Sequence, residues 1–327
     1  MSTTRRTLLQ ATAGASCMQL AGMTLAGSYP DHPIRAVVPF SPGGNSDLVG
    51  RVLCARMGQT LGQTVIVDNR PGAGGGIGAE AVAKSAPDGY TLLIGTNGPL
   101  TVNPVLQVKL RYDVFKDLAP VALAGVVPHA LVVSTALPAN TMAELLALAR
   151  YRPLSVATSG VGSSTHLTLE RLNAQAGLKL QHIPYRGGNT PVGDLVGGTL
   201  DGVIMELSAA LPLHQAGKAR LMAIASVQRS PVAPEVHTFQ EDGVKDFVAS
   251  SYVGLLVPSN TPPAVVTRLQ QATAEALTHP SVLDKLIPLG FEAAKPAQQT
   301  PAGFAGLLKT EYERASRIVK EAGIKLE

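Results

Sequence analysis

Apolar runs of strand length alternate with helical patterns in the first third of the chain. The strand-length runs lie at 34–40, 64–67 and 90–95, and a helical pattern at 77–83 separates the last two. Another helical pattern follows the first run, with apolar residues spaced by three and four: Leu48, Val49, Val52, Leu53 and Met57. Because parallel strands need a crossover connection, this βαβαβ order predicts an α/β fold with helices on both faces of a parallel sheet.

The middle of the chain continues the alternation. Further elements are predicted at 155–158, 164–176, 181–184, 191–196 and 202–205, and a last helix opens at Thr300-Pro301. Strand-like runs at 129–134, 221–226 and 252–258 lie where the chain would cross between two halves of the molecule. We therefore predict two lobes with a ligand cleft between them. Lobe 1 comprises residues 28–128 and 227–327, and lobe 2 comprises residues 129–226.

Composition excludes several classes of partner and cofactor. The chain has 27 basic and 23 acidic residues, or 25 and 23 without Arg5 and Arg6. This small positive excess does not indicate a surface that binds nucleic acid. Trp is absent and aromatic residues make up 4%, which disfavours base-stacking surfaces. Cys17 and Cys54 form no CxxC motif and no zinc set. We expect no metal, no cofactor and a monomeric protein.

Residues 1–27 have the features of an export signal. The segment contains Arg5 and Arg6, no acidic residue, and a weakly apolar stretch that ends in Leu25-Ala26-Gly27. The adjacent arginines fit a twin-arginine signal as well as an ordinary secretory one, and both routes stay open. We expect cleavage of this segment and a periplasmic location.

The loop after the first strand is the first candidate binding site. Gly43 and Gly44 permit positive φ, and Asn45 or Ser46 can cap the helix that follows. The loop would then direct free backbone N–H groups and the positive end of a helix dipole into the cleft. This arrangement suits a small carboxylate or a phosphate, although a structural capping loop with Asp47 near the helix start would have the same sequence.

A glycine-rich turn at 70–79 contains the spacing G-x-G-x-x-A from Gly74 to Ala79. This spacing occurs in dinucleotide-binding turns, but here it is not in the first βα turn. No acidic strand end follows about twenty residues later. The sequence therefore favours a loop that permits close packing of helix on strand.

The loop at 158–166 joins another strand to a helix and offers hydroxyls, glycine backbone and a histidine. Ser163 and His166 could suggest a hydrolase. The chain lacks G-x-S-x-G, however, and both residues belong to one helix start instead of converging from separate elements. We predict a carboxylate-binding loop and no enzyme activity.

Taken together, these loops resemble the extracytoplasmic solute receptors of tripartite tricarboxylate transporters, called the Bug family in Bordetella. The resemblance covers the chain from Tyr29-Pro30 to Lys325. It is carried by ordered motifs: Pro39-Phe40 with Gly43-Gly44 and Asp47, Asp68-Asn69-Arg70-Pro71-Gly72, Ala86-Pro87-Asp88-Gly89-Tyr90, Ser159 to Leu167, and His182-Ile183-Pro184-Tyr185-Arg186-Gly187.

The resemblance implies a fold like that of type II periplasmic binding proteins, with two α/β lobes joined by crossing strands. It also implies a receptor that captures a small mono-, di- or tricarboxylate and delivers it to membrane transporter subunits. The residues assigned to ligand binding are Phe40, Ser41, Pro42, Gly43, Gly44, Asn45, Ser46, Asp47, Thr96, Asn97, Ser159, Gly160, Ser163, Ser164, Thr165, His166, Tyr185, Met205 and Glu206.

One departure from the family pattern concerns the ligand. Met205-Glu206 stands where many relatives have an Asp-Asn pair, which weakens the case for an amino-acid ligand. Two other readings stay open: an exported hydrolase or nucleotide-dependent enzyme of similar shape, and a ligand sensor that docks on a signalling partner.

Overall fold

The structure is a computed structural model that describes residues 29–106 and 110–321. The predicted export signal lies outside the described residues. Within these residues, ten strands form a single sheet in the order β2-β1-β3-β9-β4-β7-β5-β6, and β8 and β10 also pair with β4. The strands are β1 Ile34–Val38, β2 Val65–Asn69, β3 Thr91–Gly95, β4 Leu118–Ser134, β5 Ser155–Thr158, β6 Gln181–Pro184, β7 Gly202–Glu206, β8 Ala219–Ile224, β9 Ser250–Pro258 and β10 Glu292–Ala293.

Eleven α-helices are present in the described residues, together with short 3₁₀ turns and a π-helix at Gly98–Val102. The α-helices are α1 Asn45–Leu61, α2 Gly76–Ala83, α3 Asn103–Leu106, α4 Val114–Asp117, α5 Met142–Tyr151, α6 Ser164–Ala176, α7 Val192–Val196, α8 Leu207–Gln215, α9 Pro263–Thr278, α10 Pro280–Leu286 and α11 Pro301–Glu321.

The first third of the chain has the predicted βαβαβ arrangement, since β1 pairs in parallel with both β2 and β3. The predicted apolar face of α1 is the buried one, with Val49, Leu53 and Met57 packed in the core. Helices α1 and α9 cover one face of this part of the sheet, and α2 and α11 cover the other. The fold predicted from the sequence is confirmed.

A single strand, β4, passes through both lobes. Its first part, Leu118 to Pro128, pairs with β9, and its second part, His129 to Ser134, pairs with β7 and β8. The change of partner falls between Pro128 and His129, where the sequence placed the first lobe boundary. A second crossing is made by the segment that leads into β9, since Ala249 bonds to Ala225 and Ser250 pairs with Pro128.

The segment 227–249 packs differently from the sequence-based division, which placed it in lobe 1. Phe239, Val244 and Phe247 are buried in the same cluster as the lobe 2 residues Leu131 and Leu169. The segment is held beside β8 because Phe239 N donates to the carbonyl of Ile224 and Ile224 N donates to the carbonyl of His237. It contains no regular strand or helix, so its sequence carries no periodicity that could indicate this packing.

In the described part of the chain, no helix combines the length and the apolar character needed to cross a lipid bilayer. The carboxyl ends of β1 and β3 in lobe 1 meet those of β5 and β7 in lobe 2 at the cleft. In α/β sheets this edge is where ligands bind, because strands end and helices begin there.

Candidate functional site

Three helices begin at the cleft, and each is the next helix after a strand. Helix α1 follows β1 through a short loop, α6 follows β5, and α8 begins at the residue after β7. The first backbone N–H groups of a helix have no partner within the helix, and its N-terminus carries partial positive charge. The fold therefore brings hydrogen-bond donors and positive potential from both lobes to one place.

The cleft contains a small polar cavity with about 340 Å³ of empty space, including the part that is open to solvent. Among the described residues that line it, Glu206 alone has an ionisable side chain. The lining residues are Phe40, Gly44, Asn45, Ser46, Thr96, Ser159, Ser163, Ser164, Gly188, Glu206 and Ser251.

The two lobes touch across the cleft, so the structure is closed. The backbone N–H and the hydroxyl of Ser41 both donate to the carbonyl of Arg186, at 3.3 and 2.9 Å. Ser208 donates to the side-chain oxygen of Asn45 at 3.1 Å, and the Asn189 amide donates to the carbonyl of Gly43. The first loop thus supplies both cavity lining and contacts that hold the lobes together.

Asp47 shapes the first loop from outside the cavity. Its carboxylate accepts from Gly43 N, from Arg51 and from Asn69, each at 2.9 Å. Burial raises the pKa of Asp47, but these hydrogen bonds outweigh burial and hold its pKa below the usual value. Because its oxygens are occupied, Asp47 fixes the loop and leaves the α1 N-terminus open towards the cavity.

The loop before α6 uses its hydroxyls in two ways. Ser163 caps the helix by accepting from His166 N at 3.2 Å, and Thr165 accepts from Ser159 N at 2.9 Å. Ser163 and Ser164 also line the cavity. His166 does not, because its ring stacks on His182 with centroids 4.2 Å apart. Burial, with a smaller contribution from His182, lowers the pKa of His166 to about 4, so the ring is neutral at pH 7.

A buried polar network lies behind Glu206 and was missed at the level of sequence. Ser251 Oγ is 2.8 Å from Glu206 Oε1, 2.8 Å from His129 Nε2 and 3.0 Å from Ser164 Oγ. His129 Nδ1 lies 2.7 Å from Thr168 Oγ1. Burial, helped by the charge of Arg314, lowers the pKa of His129 to about 3. The one available signal was a polar residue within an apolar strand run, since such residues need buried partners.

The predicted site residues divide into those at the cavity and those around it. Nine line it: Phe40, Gly44, Asn45, Ser46, Thr96, Ser159, Ser163, Ser164 and Glu206. The other ten lie outside its lining: Ser41, Pro42, Gly43, Asp47, Asn97, Gly160, Thr165, His166, Tyr185 and Met205. Of these, Asn97 bonds to the backbone of Ser250 and Tyr252, and Met205 is buried in the core of the sheet.

The glycine-rich turn packs closely, as the sequence favoured. A Cβ on Gly78 would stand 2.8 Å from Pro39 Cα, so α2 lies directly against the end of β1. A Cβ on Gly74 would stand 2.6 Å from the carbonyl oxygen of Val161 in lobe 2. The turn therefore also forms part of the closed interface between the lobes.

Ser163 and His166 do not form a nucleophile–base pair. Ser163 Oγ accepts from the backbone of His166, and His166 Nδ1 accepts from Gly162 N at 3.3 Å. Within residues 29–106 and 110–321 no group of His, Cys, Asp or Glu side chains could hold a metal ion.

Two α/β lobes that close on a small polar cavity, with helix N-termini directed into it, define a two-lobed solute-binding protein. The family model of the tripartite tricarboxylate transporter family receptor matches residues 49–324, and the chain belongs to this family.

Individual relatives resemble the chain over nearly its whole length. Protein BugT of Bordetella pertussis is 38% identical over 310 residues, 94% of each chain. The periplasmic binding protein BugD has a TM-score of 0.88 at 30% identity, covering 91% of this chain and 100% of its own. MatC of Rhodopseudomonas palustris with bound malate has a TM-score of 0.86 at 33% identity, covering 89% and 100%. A second R. palustris protein, solved with adipate, has a TM-score of 0.86 at 33% identity, covering 91% and 99%.

Proposed function

We propose that this protein captures a small organic carboxylate in the cavity between its lobes and delivers it to a membrane transporter. The observation that carries the proposal is the lining of the cavity, where hydroxyls meet the N-termini of α1 and α6 from opposite lobes. Such donors suit carboxylate oxygens. Malate and adipate in the two R. palustris neighbours support the same ligand class.

Binding is coupled to closure of the lobes. Ser46 and Thr96 approach the cavity from lobe 1, whereas Ser159 and Ser164 approach it from lobe 2. In an open cleft each set would engage only part of the carboxylate. Closure lets both sets replace the water around the anion, and the higher affinity of the closed state shifts the population towards it.

A thermal-shift screen tests the ligand class. Acetate, malate, adipate, citrate, glutamate and benzoate should be compared with glucose and arginine. A ligand at 100 times its dissociation constant stabilises the protein by about 2.7 kcal/mol. We expect at least one carboxylate to raise the melting temperature and neither glucose nor arginine to do so. A shift with glucose and none with any carboxylate would contradict the proposal.

We propose that residues 1–27 direct the chain to the periplasm, where it acts as a monomer with transporter subunits as its partners. Fractionation of cells expressing the double variant Arg5→Lys, Arg6→Lys tests the export route. A twin-arginine signal requires the arginine pair, so this variant would stay in the cytoplasm, whereas an ordinary secretory signal would keep exporting it.

The proposed role involves no catalysis. Ser251 and His129 lie at hydrogen-bond distance, but both are buried, and Ser251 bonds to Glu206 and Ser164 as well. Incubation with a generic ester, such as a nitrophenyl acetate, should release no product above the rate of a Ser251→Ala variant. Turnover that depends on Ser251 would instead make the protein a hydrolase.

A further inference from the structure

Glu206 brings a carboxyl group into a cavity that is proposed to receive another carboxyl group. It is the last residue of β7, it is 8% exposed, and it directly precedes α8 without capping that helix. Ser251 donates to its Oε1 atom at 2.8 Å. The other oxygen, Oε2, lies beside Gly188 of the cavity wall, where a Cβ would stand 3.1 Å from it.

The groups that surround Glu206 in the described part of the chain bring no full positive charge to it. His129 of β4 pairs in register with Glu206 but is neutral, because its pKa is about 3. The cavity faces of β9, α6, α1 and β3 present only Ser251, Ser164, Asn45 with Ser46, and Thr96. Arg171 and Arg314 line a separate cavity behind His129 and both donate to the carbonyl of Val248.

Two carboxylates cannot both stay ionised in such a space. Like charges within hydrogen-bond distance raise the pKa of one partner strongly, and the pair then shares a single proton. The helix N-termini at the cavity supply only partial charges. One carboxyl therefore has to be protonated when a carboxylate ligand occupies the closed cleft.

We propose that Glu206 is that acid: in the complex it carries a proton on Oε2 and donates it as a hydrogen bond to the ligand's carboxylate. The proton comes from water, and no other bond is made or broken. The inference rests on the proposed carboxylate-binding function. It implies that the protonation state of Glu206 determines which ligand charge the cavity accepts. A ligand with an ammonium group at this point would need an ionised Glu206 instead.

Two further observations support this assignment. Burial raises the pKa of Glu206, although hydrogen bonds from Ser251 and from its own backbone N–H oppose the rise. In addition, Ser251 donates to Oε1 at 2.8 Å and so already occupies that oxygen as a hydrogen-bond acceptor. The network then fixes Oε1 and leaves Oε2 as the site of the proton.

The experiment compares wild type with Glu206→Gln, which keeps a neutral donor but cannot ionise, and with Glu235→Gln as an exposed control. Affinity for acetate, malate and adipate is measured by calorimetry from pH 6 to 9, where these acids are ionised. Wild type and the control should lose up to tenfold in affinity per pH unit above the pKa of Glu206. Glu206→Gln should bind within about threefold of wild type at pH 6, show no pH dependence, and bind more tightly than wild type at pH 9.

Calorimetry is repeated at the pH where the affinity of wild type falls most steeply, in two buffers of different ionisation enthalpy. It should show uptake of up to one proton per bound ligand for wild type and none for Glu206→Gln. A flat wild-type profile, or a Glu206→Gln protein that binds more than tenfold more weakly at every pH, would overturn the inference and leave the receptor function standing. Wild type that binds none of the three acids, while glucose raises its melting temperature, would reject the receptor function itself.

Discussion

Gly43 and Gly44 are neighbours in the first loop but differ in backbone conformation. Gly43 has φ +82°, in the left-handed region, whereas Gly44 has φ −76° and ψ 172°, which any residue adopts. Both glycines permit positive φ, but only Gly43 adopts it. The N–H of Gly43 donates to the Asp47 carboxylate at 2.9 Å, which ties this residue to the first turn of α1.

This contrast predicts different costs for two alanine substitutions. Gly43→Ala should lower the free energy of unfolding by about 1–2 kcal/mol, because alanine resists the left-handed region. Its Cβ would also lie 3.2 Å from the Asn189 amide of lobe 2. Gly44→Ala is the matched control, since its Cβ would meet no atom closer than 3.7 Å. Urea unfolding of both variants measures the difference, and equal losses would contradict the prediction.

His129 should make the fold sensitive to acid. Its pKa is about 3 in the folded protein and about 6.5 when unfolded, so between these values the unfolded chain binds the extra proton. Its contribution to stability is therefore complete above pH 6.5 and is lost as the pH falls towards 3. From pH 7 to pH 5 the expected loss from this residue is about 2 kcal/mol.

Urea unfolding at pH 7 and pH 5 tests the role of His129. The loss of unfolding free energy from pH 7 to pH 5 should be smaller by about 2 kcal/mol in His129→Gln than in wild type. The variant His32→Gln, altered at an exposed histidine, should keep the full loss. Identical losses in all three proteins would exclude His129 as the group responsible.

At the level of residues, the sequence predicted the cavity lining that comes from loops after strands and missed the part that comes from strand pairing. Ser46, Ser159 and Ser164 follow recognisable strand ends, where polar residues suggest a site. Ser251 reaches Glu206 only because β9 and β7 lie on either side of β4. That arrangement depends on contacts between residues far apart in the chain, which local patterns do not encode.

At the level of elements, the residues at the start of α6 cap the helix and are also proposed to bind the ligand. Removing the cap with Ser163→Ala should cost about 1 kcal/mol of stability and should also weaken carboxylate binding, since Ser163 lines the cavity. Thr141→Ala removes the cap of α5, which lies away from the cleft. It should cost about the same stability and leave binding unchanged.

Denaturant unfolding and calorimetry with the carboxylate found in the thermal screen separate the two effects of Ser163. Loss of affinity in both variants would show that general destabilisation is the cause. Unchanged affinity in Ser163→Ala would remove this serine from the binding site.

The accuracy of the predicted elements depends on how local their signals are. The predicted bounds of β5, α6 and β6 match the structure because apolar runs and glycines mark their ends. The first part of β4 gave no such signal. Pro120, Gly125 and Pro128 interrupt it, and prolines normally argue against a central strand. The structure accommodates them through register shifts near Pro120 and Gly125 in the pairing with β9.

At the level of the whole molecule, closure should depend on Gly74. Its φ of +58° and its contact with Val161 leave no room for a side chain between the lobes. Gly74→Ala should therefore hinder closure and weaken carboxylate binding at least tenfold. Gly62→Ala introduces alanine at a similar φ of +73° with no atom within 4 Å. It should lose stability but keep full affinity.

Small-angle scattering measures closure directly. Wild type and Gly62→Ala should have a smaller radius of gyration with the bound carboxylate than without it, and Gly74→Ala should change less. If Gly74→Ala contracts as wild type does, the turn at 70–79 does not control closure.

The continuity of β4 has a consequence for how the protein loses structure. Seventeen residues of one strand lie at the centre of the sheet in both lobes, and the strand bonds to β9 at one end and to β7 and β8 at the other. Neither lobe can be cut out as a continuous fragment without dividing this strand. The backbone amides along it should exchange hydrogen for deuterium together, with protection equal to the global stability, so that the two lobes unfold in one cooperative transition.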